Sequence, residues 1–76
     1  NEFVLAKPLE DGSVAVGLFN LGDAPAKLSV TWAELGIQGS RHVRDLWRQK
    51  DAGPARGQYS ATVNRHGVAL FRLIRP

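Results

Sequence analysis

Acidic side chains are the first candidates for chemistry in this 76-residue sequence, which holds seven Asp and Glu residues. Glycoside hydrolysis needs two carboxyl groups held roughly 5–9.5 Å apart across a cleft. Asp45 lies inside a predicted strand near several arginines, where solvent exposure or an ion pair suits it better than catalysis without a partner carboxylate. The others fall at predicted strand ends, in turns or in a helical turn, where they suit capping and solubility: Glu2, Glu10, Asp11, Asp23, Glu34 and Asp51.

Nucleophile, metal and cofactor motifs are also missing from the sequence. There is no cysteine, no G-x-S-x-G elbow and no glycine-rich phosphate loop. Two histidines without cysteine argue against a structural zinc site, so no metal or cofactor is expected. His42 lies in an irregular strand, and His66 lies in a turn that its side chain is expected to fix by a hydrogen bond.

The charge pattern favours a solvated surface over a polyanion-binding one. Ten Lys and Arg against seven Asp and Glu give a net charge of +3. Binding to nucleic acid needs a clustered basic stripe. Asp45 and Asp51 interrupt the densest basic run, which consists of Arg41, Arg44, Arg48, Lys50 and Arg56. Neither a nucleic acid nor a membrane is therefore expected as a partner.

The other predicted elements are arranged around the stretch Asp11–Asp23. It reads as turn, strand, turn, and its strand is apolar on both faces, as is Val68–Ile74. Such strands are usually covered on both sides, so these two are predicted to be central. Six strands are predicted: Phe3–Leu9, Ser13–Asn20, Ala26–Thr31, Arg41–Trp47, Gln58–Asn64 and Val68–Ile74.

Local signals between the strands predict their connections. Thr31 and Glu34 have capping-box spacing ahead of Gly36, which indicates a single helical turn. Val43 and Leu46 are three residues apart in one strand, which requires a bulge if both face the same way. The segment Arg48–Pro54 is interpreted as a long loop. Residues 64–67 (NRHG) are interpreted as a turn in which Gly67 has a positive φ.

Strands at roughly ten-residue spacing predict a small all-β fold. An antiparallel two-sheet β-sandwich with Greek-key features is the first choice, and a small open barrel the second. A chain this short buries only ~60% of its unfolded surface, and no disulfide supplements it. Six strands cover one face of the central strands well and the other poorly, which predicts a partner surface. Because the sequence holds no methionine and enters a strand at once, we interpret residues 1–76 as one domain cut from a longer chain.

Three stretches together resemble a known family: Phe3–Asp23 (FVLAKPLEDGSVAVGLFNLGD), Val43–Asp51 (VRDLWRQKD) and His66–Leu73 (HGVALFRL). With the intervening Val30–Ile37, their order and spacing are similar to the C-terminal β-sandwich domain of family 27 glycoside hydrolases, the α-galactosidase or melibiase family.

The resemblance implies a non-catalytic domain docked on a (β/α)8 barrel of the same chain. In that family two aspartates of the barrel act as nucleophile and acid/base in a retaining mechanism, so no catalytic residue transfers to this sequence. The carbohydrate substrate is then a partner of the parent enzyme. α-Galactosides, α-N-acetylgalactosaminides and β-L-arabinopyranosides are not distinguished.

The candidate contacts with the barrel are motivated by the two-sided apolar strands and by the small residues Ala15 and Gly17, which allow close approach. They are Phe3, Leu5, Gly17, Phe19, Asp45 and Trp47. The competing hypothesis is a carbohydrate-binding module that holds galactoside polysaccharide near the enzyme. It predicts that Trp32, Trp47 or Tyr59 is exposed along a groove.

Overall fold

The computed structural model describes residues 1–75 and shows two antiparallel sheets. The elements are β1 (Glu2–Pro8), β2 (Val14–Asn20), β3 (Ala26–Thr31), α1 (Trp32–Leu35), β4 (Ser40–Asp45), β5 (Lys50–Arg56), β6 (Gln58–Val63) and β7 (Gly67–Ile74). The larger sheet has the strand order β1-β2-β7-β4-β5, and the smaller pairs β3 with β6. This arrangement confirms the predicted all-β sandwich.

The two strands that are apolar on both faces are central, as predicted. β2 lies between β1 and β7, and β7 lies between β2 and β4. Because side chains alternate across a strand, Val14, Val16 and Leu18 face the small sheet and are buried. The register of β2 with β7 places Leu73, Phe71 and Ala69 directly opposite them on the same inner face.

The small sheet and the helical turn cover this inner face. Leu28, Val30 and Val63 are buried against it, and so is Trp32, whose indole Nε1 donates to the Gly39 carbonyl at 2.8 Å. The helical turn forms as its sequence predicted: Thr31 and Glu34 make the reciprocal capping box, and Gly36 ends the turn at φ 70°. The hydrogen bonds from Thr31 lower the pKa of the Glu34 carboxyl.

The interpretation of Arg48–Pro54 as a long loop is wrong, because β5 begins at Lys50. Its Ala, Gly and Pro residues have weak strand propensity, and pairing with β4 overrides that propensity. β5 is an edge strand, where proline is tolerated. The bulge considered for β4 lies in β5 instead: Val43 pairs with Gly53 and Arg44 with Asp51, which leaves Ala52 as the extra residue, while β4 keeps an unbroken register with β7. Val43 is buried and Leu46 is exposed, so the two side chains face opposite ways and β4 needs no bulge.

The turn before β7 differs from the prediction at one residue. His66, at φ 53°, has the positive φ that was assigned to Gly67. Gly67 is needed for space, because a Cβ there would lie 2.9 Å from the Asn64 carbonyl oxygen. His66 Nε2 lies 3.0 Å from Asp23 Oδ1, so the predicted side-chain hydrogen bond joins this turn to the β2–β3 loop.

Candidate functional site

Five of the seven acidic side chains serve local structure, namely Asp11, Asp23, Glu34, Asp45 and Asp51. Asp11 accepts hydrogen bonds from the backbone N–H and hydroxyl of Ser13 and contacts Arg72. The Ser13 bonds, followed by Arg72, lower the pKa of Asp11 to about 2. His42 Nε2 lies 3.1 Å from an Asp51 carboxylate oxygen, and together with Arg44 it lowers the pKa of Asp51. Within residues 1–75, no group of three or more metal-binding side chains is present.

Asp45 shapes the turn that follows β4. Its Oδ1 accepts hydrogen bonds from the backbone N–H groups of Trp47 and Arg48, both at 2.9 Å. The ion pair considered for it is thus replaced by backbone capping of the β4–β5 turn. Gln49 completes this turn at φ 55°, and Trp47 is left 78% exposed.

The basic run is divided by the fold. Arg41 is buried and donates to the Gly12 carbonyl at 3.1 Å, so it serves the interior. Arg44 donates to Asp51 and to the Gln49 carbonyl. These contacts use two of the five cations internally, which leaves no continuous basic stripe along the run.

The outer face of the five-stranded sheet carries an apolar patch, which we call the outer patch. It lies on the side of β1, β2 and β7 away from the small sheet. The rings of Phe3 and Phe19 stack there at 4.6 Å between centroids and an angle of 3°. Leu5 is 58% exposed. The outer patch consists of Phe3, Leu5, Gly17, Phe19, Leu46, Val68 and Leu70.

Gly17 gives the outer patch its concave centre. A Cβ at this position would lie 2.7 Å from the Phe19 ring and 3.2 Å from Leu70. Leu5 stands opposite Gly17 on β1. A depression of about 270 Å³ opens here between these side chains and Leu46. Because Gly17 has no side chain, Phe19 and Leu70 pack close to its backbone, and a depression remains in the surface beside them.

A second concave region, the β6 groove, lies beside the free edge of the small sheet. Its volume is about 640 Å³. Tyr59 is half-buried and lies at 4.8 Å from Phe71, ring centroid to ring centroid. The groove is lined by Asp45, Trp47, Arg48, the six consecutive residues 59–64, and residues 67–69.

The structure divides the six candidate contact residues between these two regions. Phe3, Leu5, Gly17 and Phe19 come together in the outer patch, whereas Asp45 and Trp47 line the β6 groove. The prediction missed Leu46, Val68 and Leu70 of the outer patch. Val68 and Leu70 alternate with the inward Ala69 and Phe71, so the two-sided pattern of β7 carried the signal for them.

The comparisons with known proteins are consistent with this architecture. Residues 3–73 match the model of the alpha galactosidase C-terminal beta sandwich domain. The chain belongs to this family. The resemblance to α-galactosidases is thereby confirmed, and the melibiase-type sandwich accounts for nearly the whole sequence.

Relatives of the melibiase-type sandwich are much longer than this chain. Alpha-galactosidase 2 of Arabidopsis thaliana is 39% identical over 74 residues, which are 95% of this chain and 19% of that protein. An alpha-galactosidase of Cyamopsis tetragonoloba is 33% identical over 92% of this chain and 18% of its own length. The chain therefore spans about a fifth of these relatives.

Solved structures share the fold closely. Alpha-galactosidase I of Mortierella vinacea superposes with a TM-score of 0.90 at 30% identity, over 95% of this chain and 20% of that one. A GH27 β-L-arabinopyranosidase of Geobacillus stearothermophilus gives a TM-score of 0.93 at 25% identity, over 99% of this chain and 17% of that one.

No helix in residues 1–75 is both long and apolar enough to span a membrane.

Proposed function

We propose that residues 1–76 form the non-catalytic C-terminal domain of a retaining family 27 glycoside hydrolase. In this proposal a separate (β/α)8 barrel of the same polypeptide removes terminal galactosyl-type residues, and the sandwich stabilises that barrel. The names of the relatives and their greater length support an enzyme as the parent. No catalytic role is assigned to the sandwich, since five of its seven acidic side chains are used by its own turns, cap and ion pairs.

The outer patch is the observation that carries the stabilising role. The small sheet covers only the inner face, so apolar side chains of β1 and β7 remain exposed on the other. Contiguous apolar surface of this kind marks interaction sites. Full burial of one Leu side chain contributes about 1.5–3 kcal/mol, and an interface between domains typically covers about 600–1,500 Å². A docked barrel would supply the cover that the sandwich lacks.

A charge placed in the outer patch tests this role in the full-length parent protein. We expect Leu5→Lys to lower the apparent melting temperature by about 4 °C, because a buried contact worth about 2 kcal/mol is replaced by an ammonium group. Ser29→Lys is the matched control, since Ser29 is exposed on the small sheet, away from the patch. Equal melting temperatures for the two variants would contradict the proposal.

A carbohydrate-binding role is the second candidate, and the exposure of Trp47 favours it. Trp32 is only 3% exposed and its indole N–H is already bonded, so it offers no stacking surface. Titration of the parent protein and its Trp47→Ala variant with galactomannan oligosaccharides separates the two roles. A docking domain gives the same binding curve for both proteins, whereas a binding module loses a class of sites in the variant.

A further inference from the structure

One wall of the β6 groove is an unpaired strand edge. The backbone N–H of Trp32 donates to the Gly57 carbonyl at 2.8 Å, in register with the β3–β6 ladder. This bond shows which residues of the two strands form the hydrogen-bonded pairs. Backbone groups of an antiparallel strand alternate between its two sides. Tyr59, Ala61 and Val63 therefore direct their N–H and C=O groups toward β3. Ser60 and Thr62 direct theirs away from β3, toward the groove.

The facing wall holds a second unpaired stretch, on β7. The Leu46 N–H donates to the Leu70 carbonyl at 3.0 Å, which shows that Leu70 directs its backbone groups toward β4. Val68, two residues earlier, directs its groups the same way, but the chain has left the ladder there to form the β4–β5 turn. In the described part of the chain, no hydrogen bond to the backbone of Ser60, Thr62 or Val68 is seen outside the strand ladders.

The free edge of β6 also lacks the protection that the other free edges carry. Edge strands are normally guarded against pairing by charged residues or proline. β1 and β5 each contain a proline and charged residues, and β3 contains Lys27. β6 (QYSATV) contains no charge, no proline and no glycine. An unguarded edge of six residues, about 20 Å long, is suited to be covered by another strand.

We propose that the β6 groove receives an extended segment of the polypeptide outside residues 1–76, which pairs with β6 as a third strand of the small sheet. This inference rests on the proposed function, because it requires docking of the larger chain. About four fifths of the length of the first relatives lies outside the match, so ample chain is available. Ser60 and Thr62 supply the ladder hydrogen bonds, and Trp47 and Tyr59 supply aromatic surface for a side chain of the added strand.

Amide hydrogen exchange in the full-length parent protein tests the proposal without any substitution. Ser29 and Ser60 are cross-strand partners whose N–H groups face opposite edges of the small sheet, so they form a matched pair. We expect the amides of Ser60 and Thr62 to exchange at least 100-fold more slowly than those of Ser29 and Lys27. Comparable exchange at both edges would overturn the proposal. Protection that depends on protein concentration would assign the edge to a second copy, and protection that needs added galactoside would assign it to sugar; both outcomes also overturn it.

Proline variants of the same two serines add an independent readout. Ser60→Pro removes an N–H that the added strand needs, whereas Ser29→Pro removes one that faces the other edge. The first variant is expected to lower the melting temperature of the parent by several degrees more than the second. Equal shifts would contradict strand addition. A response to Leu5→Lys combined with unprotected Ser60 and Thr62 would retain the proposed function and reject only this inference.

Discussion

At the scale of single residues, Asn20 joins the two sheets through its side-chain amide. Its side chain is 1% exposed, and its amide nitrogen donates to the carbonyls of Ala24, Val63 and Asn64. Its oxygen accepts from the Gly22 N–H at 2.9 Å. One carboxamide thus ties the end of β2 to the β2–β3 loop and to the end of β6. Nothing in the sequence around Asn20 predicts these contacts, because their partners lie up to 44 residues away.

Replacement of Asn20 is expected to be costly. Asn20→Ala leaves buried backbone groups without partners, so we expect the free energy of unfolding to fall by about 2–4 kcal/mol. Asn20→Asp keeps the volume but presents a carboxylate to three carbonyl oxygens, and is expected to lose at least as much. Urea unfolding of residues 1–76 measures both variants. A change below about 0.5 kcal/mol, the range of neutral surface substitutions, would show that these contacts contribute little.

Asp11 makes the stability of the sandwich depend on pH in the acidic range. Its pKa is lowered from 3.8 to about 2 in the folded protein. The stabilisation from its ionised form is present above the unfolded pKa and is lost as pH falls toward the folded one. We therefore expect Asp11→Asn to flatten the fall in stability between pH 4 and pH 2, measured as the urea midpoint. Glu10→Gln, which removes the neighbouring charge, is the control. An unchanged acid limb in Asp11→Asn would contradict this role.

At the scale of elements, the sequence predicts strands well where burial alternates and poorly where pairing alone defines them. β2, β3 and β7 alternate or are apolar on both faces, and they were predicted to within about a residue at each end. β5 has no apolar pattern, and all that makes it a strand is its ladder with β4. Long-range hydrogen bonding of this kind leaves little trace in local composition, which is why β5 was interpreted as a loop.

The turn between β6 and β7 gives a prediction at this scale. Gly67→Ala brings a Cβ to within 2.9 Å of the Asn64 carbonyl oxygen, a backbone atom that cannot rotate away. We expect it to reduce the free energy of unfolding by about 1–3 kcal/mol. His66→Asn keeps a residue that tolerates positive φ and serves as the control, with a smaller loss. A larger loss for His66→Asn would mean that the contact with Asp23, and not the space at Gly67, stabilises this turn.

At the scale of the whole molecule, size and patterning predicted an apolar sheet face that the domain itself leaves uncovered, but the residues that line this face were only partly predictable. The two-sided strands identified the sheet face that carries Phe3, Leu5 and Phe19. They could not show that Trp47 lies in a different region, since its position follows from the turn after β4, which Asp45 caps. The free edge of β6 was not predictable either, because sheet order is a property of the complete fold.

The outer patch also predicts the behaviour of the isolated sandwich. Residues 1–76 alone expose it to water, so we expect concentration-dependent self-association in sedimentation velocity experiments. Leu70→Lys should shift the protein toward monomer, because Leu70 borders the depression at Gly17. Ser29→Lys adds the same charge elsewhere and should leave association unchanged. A monomeric unmodified protein at high concentration would argue that the patch is too small to drive contact.

The outer patch and the β6 groove open on different sides of the five-stranded sheet. A contact through one surface alone would allow the sandwich to rotate relative to its neighbour. A neighbour that contacts both regions removes that freedom, so the proposed assembly would tumble in solution as one rigid body, with a single rotational correlation time.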